Sequence, residues 1–192
     1  MTLNYKKSFS TPFFDIEEAI DPSNLDDYPY YRLTGCDSVI CCAMTNNGQF
    51  VMIKQFRPNI GKISLEFPAG GLKADESPAA AAKREFSEET SMVTDFISLG
   101  DFRLMMNRTN IKEHIFFGIN PTEDNTIEKE EGIEVKLIDR NELTRMSTNG
   151  NYKQLAGLGI IQLASNVLKL DILKEPMENI INKFNIRKRN EC

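Results

Sequence analysis

A helix signal at residues 77–90 constrains this chain more than any other stretch, because the two faces of that helix need different surroundings. Ser77 is a favourable N-cap, Pro78 suits the first helical position, and a run of alanines follows. At about 100° per residue, one face is apolar and must lie against a core. That face is predicted to consist of Ala79, Ala82, Phe86, Thr90 and Val93.

The opposite face of the same helix is acidic. Glu85, Glu88 and Glu89 stand at spacings of three and four, at which helical side chains are neighbours. Three carboxylates this close repel one another at neutral pH, and a hard divalent cation such as Mg²⁺ or Mn²⁺ relieves the repulsion. Arg84 lies one turn before Glu88 and can orient or partly neutralise the cluster. The alternative is the solvated face of an ordinary amphipathic helix.

Two glycines upstream of the helix favour an ion-binding or phosphate-binding site over a plain solvated helix face. In the run Ala69-Gly70-Gly71 the backbone can come close to a bound ion or phosphate. From Gly70 to the end of the helix, the spacing resembles the Nudix box, G-x5-E-x7-R-E-U-x-E-E-x-G-U, where U is apolar. Glu76 and Arg84 hold the first two charged places, and Ser91 replaces the second glycine of the pattern. If that position needs a positive φ, serine costs about 1 kcal/mol there.

The resemblance extends beyond the box, over about residues 37–165. Residues 54–58 (Lys-Gln-Phe-Arg-Pro), 65–70 (Leu-Glu-Phe-Pro-Ala-Gly) and the acidic run at 130–135 are similar to the ADP-ribose and ADP-sugar pyrophosphatase branch of Nudix hydrolases. The loop at residues 104–110 differs, because that branch commonly carries a proline there.

The resemblance implies roles for individual residues. The implied metal ligands are Glu85, Glu88, Glu89 and the backbone carbonyl of Ala69. The implied catalytic residues are Glu88, Arg84 and, from the acidic loop, Glu131 in preference to Glu130. The implied substrate contacts are Arg57, Glu66, Gly70, Gly71 and, as a phosphate clamp or else a solvent-facing side chain, Arg108. His114 begins an apolar strand and is interpreted as structural.

Hydrophobic patterning predicts an α+β domain, with strands and hairpins mixed with a few helices. The predicted strands are 38–44, 49–56, 63–67, 99–105, 114–119 and 133–138, and the further helices are 140–146, 152–168 and 178–184. Residues 120–132 form a long acidic loop. The resemblance implies the Nudix fold, an α/β/α sandwich with a mixed central sheet. Residues 1–36 are expected to form a β-rich appendage and dimerisation arm, with Asp26–Tyr31 extended, and residues 37–192 the Nudix domain.

Charge and cysteine content exclude several function classes. The chain has 23 Lys and Arg against 28 Asp and Glu, a net charge of −5, which argues against a general nucleic-acid binder. A zinc site is not expected, since the four cysteines lack C-x-x-C spacing and there is one histidine. The apolar runs are too short to span a membrane and the N-terminus lacks a secretory signal, so a reducing, cytoplasmic location is expected.

The expected activity is Mg²⁺-dependent hydrolysis of the pyrophosphate bond in a nucleoside diphosphate linked to another group. ADP-ribose or another nucleotide sugar is the preferred substrate, giving a nucleoside monophosphate and a sugar phosphate. The alternatives are a Nudix hydrolase of nucleoside triphosphates, dinucleoside polyphosphates or coenzyme A, a non-catalytic nucleotide-binding module, and a prenyl diphosphate isomerase. The expected partners are a small-molecule nucleotide and a second copy of the chain in a homodimer.

Overall fold

The computed structural model describes residues 4–20 and 30–190, and its centre is a mixed sheet. The strands before this sheet are β1 (Tyr5–Ser10), β2 (Phe14–Ala19) and β3 (Tyr31–Gly35). The strands from residue 38 onward are β4 (Ser38–Met44), β5 (Gln49–Arg57), β6 (Lys62–Glu66), β7 (Ala69–Gly71), β8 (Met92–Val93), β9 (Phe96–Phe102), β10 (Glu113–Ile119), β11 (Thr122–Glu123) and β12 (Glu134–Asp139). The main sheet has the order β12-β5-β4-β10-β9, with β6 paired to β5 and β7 to β4. Only the β4–β10 pair among the described strands is parallel, so the predicted mixed sheet is confirmed.

Strand β4 is apolar from Val39 to its end at Met44, as expected for a strand that is covered on both faces. Val39, Cys41 and Ala43 pack in one cluster with the helix α1 (Pro78–Thr90). The intervening residues of the strand, such as Ile40 and Cys42, pack in a second cluster on the opposite face of the sheet. The two cysteines are fully buried.

Three helices follow β12, and they cover the second face of the sheet. They are α2 (Arg140–Thr148), α3 (Leu155–Leu168) and α4 (Met177–Arg189). Leu143, Ile160 and Phe184, one from each helix, belong to the core cluster on that face. With α1 on the other face, the arrangement is the predicted α/β/α sandwich. No helix within the described part of the chain is long and apolar enough to cross a membrane.

The N-terminal appendage is a separate antiparallel sheet in the order β1-β2-β3. It is joined to the loop before β10: the Leu33 amide donates to the Arg108 carbonyl at 2.8 Å, and Thr109 Oγ1 donates to the Leu33 carbonyl at 2.8 Å. A β-rich appendage is therefore confirmed. The predicted extension at Asp26–Tyr31 lies outside the described residues except at Tyr30 and Tyr31.

Three predicted elements have boundaries that differ from the structure by three residues or more. Helix α4 ends at Arg189 rather than at residue 184. Strand β9 spans Phe96–Phe102 rather than 99–105, because the apolar residues Leu104–Met106 lead into a turn in which the Arg108 amide donates to the Met105 carbonyl at 3.0 Å. Helix α3 begins at Leu155 rather than at residue 152. Tyr152 precedes it as a buried core residue whose hydroxyl donates to Gln154 at 3.0 Å.

The apolar face of α1 is also rotated relative to the prediction. Its buried residues are Ala81, Ala82, Phe86, Glu89 and Thr90. Ala79 is exposed, and Val93 is 40% exposed because it follows the end of the helix in the short ladder β8–β11. The rotation turns Glu89, predicted to lie on the open face, in towards the sheet.

Candidate active site

A close approach between strand β7 and helix α1 forms the floor of the candidate site. A Cβ atom added to Gly70 would lie 2.1 Å from the Glu85 carboxyl carbon, so only glycine fits there. The neighbouring Gly71 carbonyl accepts a hydrogen bond of 3.0 Å from Arg84 Nη2. Gly70 is therefore needed for the close approach of Glu85, the first acidic residue of the helix, rather than for a positive φ.

The Gly70→Ala variant is expected to lose at least about tenfold in kcat, because the methyl group would displace the Glu85 carboxylate. Gly159→Ala is the matched control: Gly159 lies in α3 with nothing within 4 Å of an added Cβ. The control should gain about 1 kcal/mol of stability, as alanine does in a helix, with unchanged turnover. Equal turnover in the two variants would contradict the packing argument. Steady-state kinetics and thermal melts provide the measurements.

Glu89 is the most buried acidic residue of the cluster, with 4% of its surface exposed. Its Oε2 accepts a hydrogen bond of 2.9 Å from the Ala69 amide, which fixes the carboxylate beside strand β7. Burial is the main cause that raises the pKa of Glu89 to about 8. The charges of Glu85 and Glu130 act in the same direction, and the hydrogen bond from Ala69 and the charge of Arg57 act against it. A buried carboxylate with acidic neighbours is an environment that a cation would stabilise.

Arg84 connects the carboxylates of the predicted box. Its guanidinium binds Glu76 through two hydrogen bonds of 2.8 and 2.7 Å. Its Nη1 donates to Glu85 at 2.7 Å and to Glu88 at 3.0 Å. The paired guanidinium lowers the pKa of Glu76 to about 2, helped by the Lys73 amide. Arg84 therefore holds three acidic side chains in one place.

A second ion pair lies on the strands next to this cluster. Arg57 on β5 binds Glu66 on β6 through two hydrogen bonds of 2.9 and 2.6 Å. Burial acts to raise the pKa of Glu66, but the hydrogen bonds from Arg57 and Ser64 outweigh it and hold the pKa below its usual value. The Arg57 charge also acts on Glu89, so the pair belongs to the same site.

Gln154 supports this segment and was not predicted from the sequence. Its Oε1 accepts hydrogen bonds from the Phe67 amide at 3.1 Å and from the Tyr152 hydroxyl at 3.0 Å. The contact joins the start of α3 to the residues between Glu66 and Ala69. Eighty-odd residues separate the partners in sequence, and no local motif marks a long-range side-chain contact of this kind.

In the acidic loop, the contacts favour Glu130 over the predicted Glu131. The Glu130 amide donates to the Glu88 carbonyl at 2.9 Å. Its charge raises the pKa values of both Glu89 and Arg57. Glu131 is exposed, and no such link to the cluster is found for it.

Arg108, a predicted substrate contact, lies elsewhere, and so does His114, which was interpreted as structural. The Arg108 guanidinium is exposed and stands 5.8 Å from the Tyr30 ring, so the structure places it beside the N-terminal sheet rather than among the carboxylates. His114 Nε2 lies 3.3 Å from Asp37 Oδ2 at the start of β10. That contact fits the structural role inferred for His114.

The donor set of the cluster suits a hard divalent cation. Carboxylates of Glu85, Glu88 and Glu89 and the carbonyl of Ala69 are oxygen ligands of the kind that Mg²⁺ prefers. Within residues 4–20 and 30–190, no three acidic, cysteine or histidine side chains are already arranged around one metal position. Arg84 engages Glu85 and Glu88 in this conformation. Metal binding would therefore require these side chains, of which Glu88 is 42% exposed, to turn away from the guanidinium.

Comparison with protein families agrees with this arrangement. Residues 36–157, more than half of the chain, match the NUDIX domain. A solved structure described as an ADP compounds hydrolase superposes with a TM-score of 0.73 at 17% identity, covering 87% of this chain and 92% of that one. At that identity the likeness concerns the fold.

Two curated proteins share shorter stretches with higher identity. The chain is 58% identical over 40 residues to the ADP-sugar pyrophosphatase of Mus musculus, covering 21% of this chain and 18% of that protein. It is 42% identical over 53 residues to the ADP-ribose pyrophosphatase of Bacillus subtilis (strain 168), covering 28% of this chain and 29% of that protein. The matched stretches thus span less than a third of each relative.

Proposed function

The chain belongs to the Nudix family, and from that premise we propose that it is a Mg²⁺-dependent pyrophosphohydrolase of ADP-ribose or another nucleotide sugar. The observation that carries the proposal is the gathering of Glu85 and Glu89 against the Ala69–Gly71 backbone, with the charge of Glu130 acting on Glu89. The names of the two curated relatives support an ADP-linked sugar as the substrate class. Mn²⁺ is proposed as a substitute cation.

The proposed reaction breaks one bridging P–O bond of the pyrophosphate. A water oxygen attacks one phosphorus, and the oxygen bridging to the other phosphorus leaves with the electron pair, giving a nucleoside monophosphate and a sugar phosphate. When bound, divalent cations neutralise the phosphate charge and acidify the attacking water. Glu85, Glu88, Glu89 and the Ala69 carbonyl would hold them, and Glu130 would accept the proton from the water.

The remaining residues are proposed to orient the reacting groups. Arg84 acts as a positioning residue, because its contacts hold Glu76, Glu85 and Glu88 together. Arg57 and Glu66 form a bidentate pair beside Glu89, and the guanidinium edge of Arg57 that does not face Glu66 can bind a phosphate or a base. The backbone of Gly70 and Gly71 would allow a phosphate to approach closely.

A substrate panel tests the proposal. Purified protein is incubated with ADP-ribose, ADP-glucose, a nucleoside triphosphate, a dinucleoside polyphosphate and coenzyme A, with Mg²⁺ or with EDTA, and the products are identified by mass. We expect AMP and a sugar phosphate from the ADP-sugars, only with Mg²⁺. Faster release from another substrate would overturn the substrate class. Binding without turnover in the whole panel would indicate a non-catalytic module. The Glu85→Gln protein, purified in parallel, controls for a contaminating hydrolase.

The domain division and the oligomeric state are further parts of the proposal. Residues 1–36 are proposed as the dimerisation arm and residues 37–192 as the Nudix domain. Support comes from apolar side chains that the appendage leaves exposed, including Phe9 at 59% and Phe13 at 83%. Isolated apolar residues on a surface need no partner, but several on one small sheet favour an interface. A cytoplasmic location is proposed for the same enzyme.

Light scattering coupled to gel filtration is expected to give twice the chain mass of 21.8 kDa at micromolar concentration. The double variant Phe9→Ser/Phe13→Ser should shift the species towards the monomer, because it removes the exposed apolar surface of the arm. Met106→Ser is the matched control, since Met106 is 86% exposed outside the appendage. A wild-type monomer at this concentration would contradict the dimer.

A further inference from the structure

Ser91 occupies a backbone conformation that normally favours glycine. It follows the last residue of α1 with φ 53° and ψ 31°, in the left-handed region, and its amide closes the helix by donating to the Ser87 carbonyl at 2.8 Å. The Nudix pattern has glycine at this position. Serine therefore carries a backbone penalty here that glycine would avoid.

The side chain of Ser91 makes a contact that glycine could not make. Its Oγ donates to the Ile127 carbonyl at 3.2 Å, in the middle of the acidic loop. Its carbonyl accepts from the Asp124 amide at 2.9 Å. One residue at the end of the helix thus holds the loop at two points.

A third hydrogen bond brings the same loop to the candidate active site. The Glu130 amide, three residues beyond Ile127, donates to the Glu88 carbonyl at 2.9 Å. On the other side, the ladder between β8 and β11 begins directly after Ser91. Hydrogen bonds therefore hold residues 122–130 of the loop against the C-terminal end of α1. The last of these residues is Glu130, whose charge acts on Glu89.

We propose that the Ser91 hydroxyl is a positioning device for Glu130: it anchors the acidic loop to the helix that carries the metal-binding glutamates. This inference rests on the proposed function for its kinetic consequence but not for the anchoring itself. Removal of the hydroxyl lets the 124–130 segment move away from α1, and the Glu130 carboxylate then spends less time at the attacking water.

The first part of the test measures anchoring without any substrate. Hydrogen–deuterium exchange is followed in the wild type and in Ser91→Gly, Ser91→Ala and the control Ser147→Ala. Ser147 Oγ also donates to a backbone carbonyl, that of Leu143 in α2, and touches no part of the loop. Exchange of the 122–131 amides should become about fivefold faster in both Ser91 variants, the size of one neutral hydrogen bond, and stay unchanged in the control.

Using glycine and alanine together separates the hydroxyl from the backbone. Glycine relieves the left-handed conformation and alanine does not, while both lack the Oγ donor. Similar effects in the two variants support the hydroxyl as the anchor. Because serine and alanine share the backbone penalty, Ser91→Ala removes only the hydroxyl. An effect in Ser91→Gly alone would assign the change to the backbone and overturn the proposal, as would unchanged exchange in Ser91→Ala.

The second part measures turnover of ADP-ribose with Mg²⁺ in the same proteins and in Glu130→Gln with and without Ser91→Gly. We expect kcat to fall about fivefold in Ser91→Gly with KM unchanged, and no further fall when Ser91→Gly is added to Glu130→Gln. Multiplicative losses would show that Ser91 acts independently of Glu130 and would overturn the positioning role. A wild type that hydrolyses nothing in the panel would overturn the proposed function and this role together. Unchanged exchange in an active enzyme would overturn the anchor alone.

Discussion

The Glu85→Gln and Glu89→Gln variants are each expected to lose at least ~10²-fold in kcat, because each replaces an ionised oxygen ligand with a neutral amide. The fold should survive in both. At Glu89 the amide oxygen can still accept the 2.9 Å hydrogen bond from the Ala69 amide, and at Glu85 the substitution preserves the volume that rests against Gly70. Initial rates over a range of Mg²⁺ concentrations provide the measurement.

Glu142→Gln is the matched control for these variants. Glu142 is an exposed glutamate in the first turn of α2, on the opposite side of the sheet from α1. It should retain wild-type kcat, since it removes the same charge from the chain without removing a ligand. More than about half of wild-type turnover in Glu85→Gln or Glu89→Gln at saturating Mg²⁺ would show that these carboxylates are not the metal ligands.

The Glu89→Gln substitution, which is expected to lower activity, is also expected to raise the stability of the metal-free protein. The pKa of Glu89 is about 8 in the folded protein, above the ordinary value of 4.5. The carboxyl therefore favours the folded state when protonated, and that contribution is lost as the pH rises from about 4.5 to 8. Without metal, Glu89→Gln should melt at a higher temperature than the wild type at pH 8, with a smaller difference at pH 5. Added Mg²⁺ should stabilise only the wild type.

The sequence predicted the elements whose residues carry their own periodicity. Strand β4 was recognisable because a run such as Val39–Met44 must be covered on both faces, and the structure provides α1 and α3 for this. Helix α1 was also recognisable from the sequence, because the N-cap Ser77, Pro78 and the alanines that follow are local signals that favour a helix. The box spacing then identified the fold, which the family match supports.

Positions set by long-range packing could not be predicted. Which side of α1 is buried depends on the tilt of the helix against β4, and a rotation of one position turned Glu89 from the surface into the interior. Strand β9 begins and ends three residues earlier than predicted, because its pairing with β10 sets its ends and its own apolar residues do not. The proposed role of Glu130 rather than Glu131 depends on packing of the same kind, because adjacent carboxylates differ only in the direction that the folded loop gives them.

Glu130→Gln is expected to lower kcat about 10²-fold with little change in KM, because a positioned general base supplies an effect of that size. Glu131→Gln is expected to stay within about twofold of wild type. The two variants remove the same charge from neighbouring positions of one loop, so each controls for the electrostatic effect of the other. Neither side chain is buried, and melting temperatures should match the wild type.

Each possible result of this comparison has a distinct meaning. A loss of activity in Glu130→Gln alone agrees with the effect of the Glu130 charge on the pKa of Glu89 and with the hydrogen bond from the Glu130 amide to the Glu88 carbonyl. A loss in Glu131→Gln alone would require the loop to shift by one residue when metal and substrate bind, which would break the Glu130–Glu88 hydrogen bond. Full activity in both would leave the loop without a catalytic carboxylate. Glu66 would then be a further candidate, because it is held by Arg57, whose charge also acts on Glu89.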